Sequence, residues 1–88
     1  MKIKKNFVKR KVGDKYLVVN TKKGDGAQSM FIEMNETSSF IWDQFEKGYD
    51  IDKTAMQLCK RYSIPKEKAL KDINKLVEAM KNAGIIED

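Results

Sequence analysis

Ser29-Met30-Phe31-Ile32-Glu33-Met34-Asn35-Glu36-Thr37-Ser38-Ser39-Phe40-Ile41-Trp42-Asp43-Gln44-Phe45 carries the passage from strand to helix on which the fold turns. Met30, Ile32 and Met34 recur at period two, which puts them on one face of a short strand. From Asn35 the spacing changes. Asn35 is a good N-cap, Glu36 places a negative charge in the first turn, and Phe40, Ile41, Trp42 and Phe45 form one apolar side. This predicts a helix from Glu36 to about Lys47, ended by Gly48.

Upstream, Phe7–Val12 and Lys15–Asn20 are rich in β-branched and aromatic residues and read as two strands. Gly13-Asp14 between them suits the two-residue loop of a type II′ hairpin, where glycine supplies the positive φ. Thr21–Gln28, with two glycines and no apolar period, reads as a loop. Downstream, Asp50 caps a second helix reaching about Tyr62, with Ile51, Ala55, Leu58, Cys59 and Tyr62 on one stripe. Pro65 fits the first position of a third helix that runs to about Ala83. Gly84 ends that helix and Ile85-Ile86 folds back on the core. The expected fold is α+β: a three-stranded antiparallel sheet followed by three helices, as one domain over residues 1–88. The short turn around Ser63-Ile64 makes it winged helix-turn-helix-like.

Composition narrows the function. The chain has 88 residues, 18 Lys plus Arg against 13 Asp plus Glu, a formal net charge of +5, no His and one Cys. Without His there is no Ser-His-Asp or Cys-His nucleophile and no His-ligated metal. A single cysteine, Cys59, forms no internal disulfide, and its place on an apolar stripe predicts a structural role. The carboxylates are scattered, no phosphate-cradling glycine motif is present, and Gly24-Asp25-Gly26 reads as flexible loop. A binding module without catalysis, cofactor or metal is the expectation. No apolar run reaches the roughly 18 residues of a membrane span, and the basic N-terminus has no apolar segment behind it, so a cytoplasmic protein is expected. Charge is uneven: residues 1–30 hold nine basic and two acidic side chains, residues 31–88 nine and eleven.

Two features suggest what is bound. If the strands lie in the order one, two, three, the first edge is guarded by Lys9, Arg10 and Lys11, the usual protection against unwanted pairing. The third strand has only Glu33, leaving Ser29, Met30, Phe31 and Ile32 open to a partner strand. The long loop also permits an order that buries strand three beside strand one. On the third helix Ala69, Ile73, Leu76 and Met80 form the core stripe. Leu70 and Val77 lie roughly 70° to one side of it, followed by Asn74 and Lys81. A groove between the third strand and this flank would take an extended peptide; packing of Leu70 and Val77 against the rest of the fold is the alternative.

The passage Met30-Phe31-Ile32-Glu33-Met34, then Asn35-Glu36-Thr37, then Trp42, resembles the coenzyme PQQ synthesis protein D family of precursor-peptide recognition elements. The start of the hairpin at Asn6-Phe7-Val8, Tyr62 before Ile64, and Ala83-Gly84-Ile85-Ile86-Glu87 extend the likeness over nearly the whole chain. The resemblance implies a non-catalytic winged helix-turn-helix domain that binds the leader of a ribosomally made precursor peptide. It implies strand addition along the third strand, contact with the third helix, and presentation to a modifying enzyme, often a radical S-adenosylmethionine protein with iron–sulfur clusters. Carried over, the contacts are Ser29, Met30, Phe31, Ile32 and Glu33 on the strand and Leu70, Ile73, Asn74 and Val77 on the helix. Lys66, Lys81 and the basic N-terminal half would attract an acidic leader. The alternative is a DNA-binding winged helix. The third helix has no Arg, and Glu67, Asp72 and Glu78 offset its lysines, so nucleic acid is not the expected partner. A homodimer paired through strand three is a third reading.

Overall fold

The computed structural model describes residues 2–21 and 32–87. The order is β1 (Lys2–Ile3), β2 (Phe7–Val12), β3 (Lys15–Asn20), β4 (Ile32–Met34), α1 (Glu36–Glu46), α2 (Ile51–Tyr62), α3 (Lys66–Asn82) and β5 (Ile86–Glu87). Val12 pairs with Lys15, so Gly13-Asp14 is a two-residue loop. Gly13 has φ 64°, whereas Asp14 is not among the positive-φ residues. This fits a type II′ turn and excludes type I′, which needs both positive.

The three-stranded sheet has the order β2-β3-β4 and both pairings are antiparallel. The strand order left open by the sequence is therefore the simple meander, with β4 at an edge. Phe7, Val18 and Met34 turn to the helices and are buried there with Ile41, Trp42 and Phe45 of α1. Ala55 and Leu58 of α2 and Ala69, Ile73, Leu76, Val77 and Met80 of α3 complete the core.

Each helix is delimited by its own chemistry. The Asn35 side chain accepts from the Ser38 N–H at 2.8 Å, and that of Asp50 from Lys53 N–H at 2.8 Å. Pro65 is the N-cap of α3, one position earlier than expected, and extended at φ −70°, ψ 154°. Helices α1 and α3 end in the same motif. Gly48 N–H donates to Phe45 O and Tyr49 N–H to Gln44 O; Gly84 N–H donates to Lys81 O and Ile85 N–H to Met80 O. This paired pattern with a left-handed glycine satisfies the last helical carbonyls. The second instance drives Ile85 into the core beside Met80.

A pairing not foreseen from sequence follows. β1 and β5 form a two-stranded antiparallel sheet, with Lys2 opposite Glu87 and Ile3 opposite Ile86. Lys4 N–H donates to Ile85 O at 2.9 Å. Two residues per strand are too few to signal a strand by periodicity, and the pairing spans the whole chain.

The proposed edge guard is revised at Lys9. Its Nζ reaches across to α1, 2.7 Å from Ser39 Oγ and 2.5 Å from Asp43 Oδ1. Lys9 shares its face of β2 with buried Phe7, so its ammonium meets the helix layer instead of solvent.

Candidate functional site

β3 satisfies one edge of β4 through the pairs Val18–Ile32, Leu17–Glu33 and Tyr16–Met34. The other edge has no strand partner among the described residues. A strand's amides point alternately to its two sides, so this edge presents N–H and C=O groups outward.

Beside it lies an open groove of about 520 Å³. Ile32 and Glu33 form one bank together with Asn35, Thr37 and Ser38 at the start of α1. Tyr62 and Ile64 close the end where α2 turns into α3. Tyr62 is held edge-on against Phe40, with ring centroids 5.8 Å apart. The α3 bank is Lys68, Asp72, Lys75, Leu76 and Ala79.

The groove is apolar at Ile32, Ile64, Leu76 and Ala79, and its charges nearly cancel. Lys68 Nζ lies 3.6 Å from Asp72, one helical turn away, and Glu33 bonds Lys15 at 3.0 Å across to β3. The Lys15–Glu33 pair is exposed on both sides and Lys68–Asp72 on the lysine side, so solvent screening leaves both worth little in stability. Lys75 has no ion pair among the described residues. Thr37 and Ser38 add hydroxyls. This arrangement can take an extended chain by backbone pairing and receive its side chains. Among the described residues there is no cluster of three His, Cys, Asp or Glu able to hold a metal. No helix among them is long and apolar enough to cross a membrane.

The strand and helix contacts inferred from sequence divide. Ile32 and Glu33 line the groove; Ser29, Met30 and Phe31 lie outside the described residues. None of the four helix positions lines it. Ile73 is fully buried, Val77 is buried, and half-buried Leu70 packs against the same core. Asn74 is exposed. At 100° per residue, Leu70, Asn74 and Val77 sit roughly 150° or more around α3 from the groove bank. The sheet edge faces the opposite flank. The α3 bank of the groove, outside the contacts inferred from sequence, consists of Lys68, Asp72 and Lys75 with Ala79 and the core-stripe residue Leu76, and its charged part has a pattern also typical of a solvated face. Its one sequence signal is the Ser63-Ile64 turn, which fixes where α2 ends against α3. Cys59 is half-buried rather than enclosed, while Thr54, absent from the expected stripe, is fully buried.

A three-stranded sheet whose β4 edge is unpaired among the described residues, over a helix-walled groove, makes a small domain that can receive an extended chain. The chain belongs to the coenzyme PQQ synthesis protein D (PqqD) family, matched over residues 16–86. Two solved structures share the fold. The TbiB1 protein in complex with the TbiA(beta) leader peptide is 21% identical, with a TM-score of 0.78 over 99% of this chain and 95% of that one. A lasso peptide synthetase B1 complexed with the leader peptide is 17% identical, with a TM-score of 0.77 over 99% of this chain and 96% of that one. No curated protein matches the sequence.

Proposed function

We propose that this protein binds the leader segment of a ribosomally synthesised precursor peptide as an added strand along β4 and presents it to a modifying enzyme. The β4 edge above the groove, without a strand partner among the described residues, carries this reading. Membership of the PqqD family and the two similar folds, both of proteins bound to leader peptides, support it.

In this reading the leader's backbone pairs with Ile32 and Glu33, and with Ser29, Met30 and Phe31 before them. Its side chains enter between Ile32, Ile64, Leu76 and Ala79. The helix contacts are Lys68, Asp72, Lys75, Leu76 and Ala79 in place of Leu70, Ile73, Asn74 and Val77. The domain of residues 1–88 does no chemistry, works in the cytoplasm and uses no cofactor of its own. The modifying enzyme is a radical S-adenosylmethionine protein or another peptide-modifying enzyme. The family match argues against the DNA-binding reading, as does an α3 without Arg and with Lys68 drawn to Asp72.

The test pans a displayed library of random 12-residue peptides on the full chain and measures the selected peptides on variants. Ala79→Leu fills the groove with a good helix former and should weaken binding at least tenfold. Asn74→Ala, on the far flank, should leave it unchanged. Proline is placed in turn at Ile32 and Glu33: one of these amides faces outward, and the variant that keeps its fold by circular dichroism should lose the peptide. Selected peptides that bind all these folded variants equally would remove the strand-addition reading. A stable dimer that blocks peptide binding would favour self-pairing through β4.

A further inference from the structure

A second hollow, sharing no residue with the groove, lies at the N-terminal end of the sheet and the end of α1. It has a volume of about 610 Å³, and its apolar part is Ile3, Phe7, Val8 and Phe45. Four lysines surround this floor: Lys2, Lys4, Lys5 and Lys47, with Glu46 the one acid among the lining residues. No ion pair joins any of the four to an acid among the described residues. Elsewhere the lysines that meet acids are Lys9, Lys15 and Lys68.

These lysines are held on ordered backbone. β1 is pinned by β5, and Phe7 N–H closes a turn onto Lys4 O at 3.2 Å, which displays Lys4 and Lys5. The next residue is tied by Thr21 N–H to Asn6 O at 2.7 Å and by Asn6 Nδ2 to Asn20 Oδ1 at 2.8 Å. Lys47 is the C-cap of α1, placed by the glycine turn behind it. It comes from some 40 positions away in sequence to complete the ring. The apolar surface continues over the edge of the sheet, since Val8 faces outward opposite Val19. Four lysines against Glu46 among the lining residues, with Glu87 opposite Lys2 in register, leave a surplus of like charge that raises a positive potential, and apolar side chains beneath them favour a ligand with apolar groups of its own.

We propose that this hollow is a docking surface for an acidic segment of a partner protein, one that carries Leu- or Phe-type side chains among its carboxylates. A phosphate backbone has no apolar group for Ile3 and Val8, the half-buried apolar side chains of the hollow, and a concave floor does not match a flat lipid surface. Because the two sites share no residue, a peptide on β4 and a protein at this hollow can be held together.

The test is an NMR titration of the full ¹⁵N-labelled chain. The probe is a 12-residue peptide of Asp and Glu interspersed with Leu and Phe. Its counterpart with Lys for every acid, a 12-base-pair DNA duplex and phosphatidylserine vesicles are titrated alongside. The acidic peptide should move the amides of residues 2–8 and 45–48 and leave those of 32–34 and 68–79 in place. The triple variant Lys4→Glu, Lys5→Glu, Lys47→Glu should raise its Kd at least tenfold, and the corresponding triple Gln variant should raise it less. The proposal is overturned if the acidic peptide leaves residues 2–8 and 45–48 unmoved, if the triple variants bind it as wild type does, or if DNA or vesicles occupy the hollow more tightly.

Discussion

Two buried polar atoms lack an answering group among the described residues. Trp42 Nε1 and Thr54 Oγ1 are shielded from solvent and have no hydrogen-bond partner among the described residues. An unanswered buried hydroxyl costs about 1–3 kcal/mol of desolvation. Thr54→Val keeps the shape and removes the hydroxyl, so it should stabilise the fold by about 1 kcal/mol, read as a higher urea midpoint with an unchanged slope. Lys9 is the converse case. Its side chain is 17% exposed and its ammonium meets Ser39 and Asp43, while Asp43 remains 47% exposed. Solvent screening on the Asp43 side limits the pair, so Lys9→Ala should cost about 1–2 kcal/mol. The neighbouring Lys11→Ala should stay within about 0.5 kcal/mol, as for most surface changes. The same denaturation series compares the two.

At the scale of the element, α2 ends on a left-handed residue that is not glycine: Ser63, φ 52° and ψ 45°. A side chain in this conformation costs about 1 kcal/mol, so Ser63→Gly should stabilise by roughly 0.5 kcal/mol after the added freedom of the unfolded chain. Thermal unfolding checks it. The two glycine turns that end α1 and α3 were legible because only glycine adopts that conformation easily. The helices were legible because caps and apolar spacing agree, and the β2–β3 hairpin because a two-residue Gly-Asp loop permits little else. The groove was half legible. An edge strand with a single charge, Glu33, can be read from one strand alone, whereas the flank of α3 that faces it depends on how the helix is rolled against the sheet. Leu70 and Val77 widened the apolar stripe because they belong to the core, and no local pattern separates that from a ligand face. Accordingly Ile73→Ala should lower stability by about 2–5 kcal/mol as a cavity-forming change, with no selective loss of peptide affinity. Isothermal titration at a temperature where the variant stays folded measures that affinity.

For the whole molecule, the surplus of basic residues in the first third is distributed in space in a way its sequence order conceals. Lys9 is drawn to α1, Lys15 answers Glu33, and Lys2, Lys4 and Lys5 collect at the hollow beside β1. Lys66 lies beside Met56 and Cys59, away from the groove, and Lys81 does not line it. The groove holds two basic and two acidic side chains, Lys68 and Lys75 against Glu33 and Asp72. Raising salt from 50 to 500 mM should therefore change peptide affinity at the groove less than about threefold and weaken an acidic ligand at the lysine hollow much more, since screening acts on net charge. Fluorescence anisotropy at the two salt concentrations separates them. The small β1–β5 sheet has a different consequence. With Lys2 opposite Glu87, the chain enters and leaves the fold at one point. A host protein could accept this domain as an insertion in a single surface loop, and a short linker could join its two ends so that the chain is opened elsewhere. The architecture is that of a cassette, transferable between polypeptides without rebuilding either side of the junction.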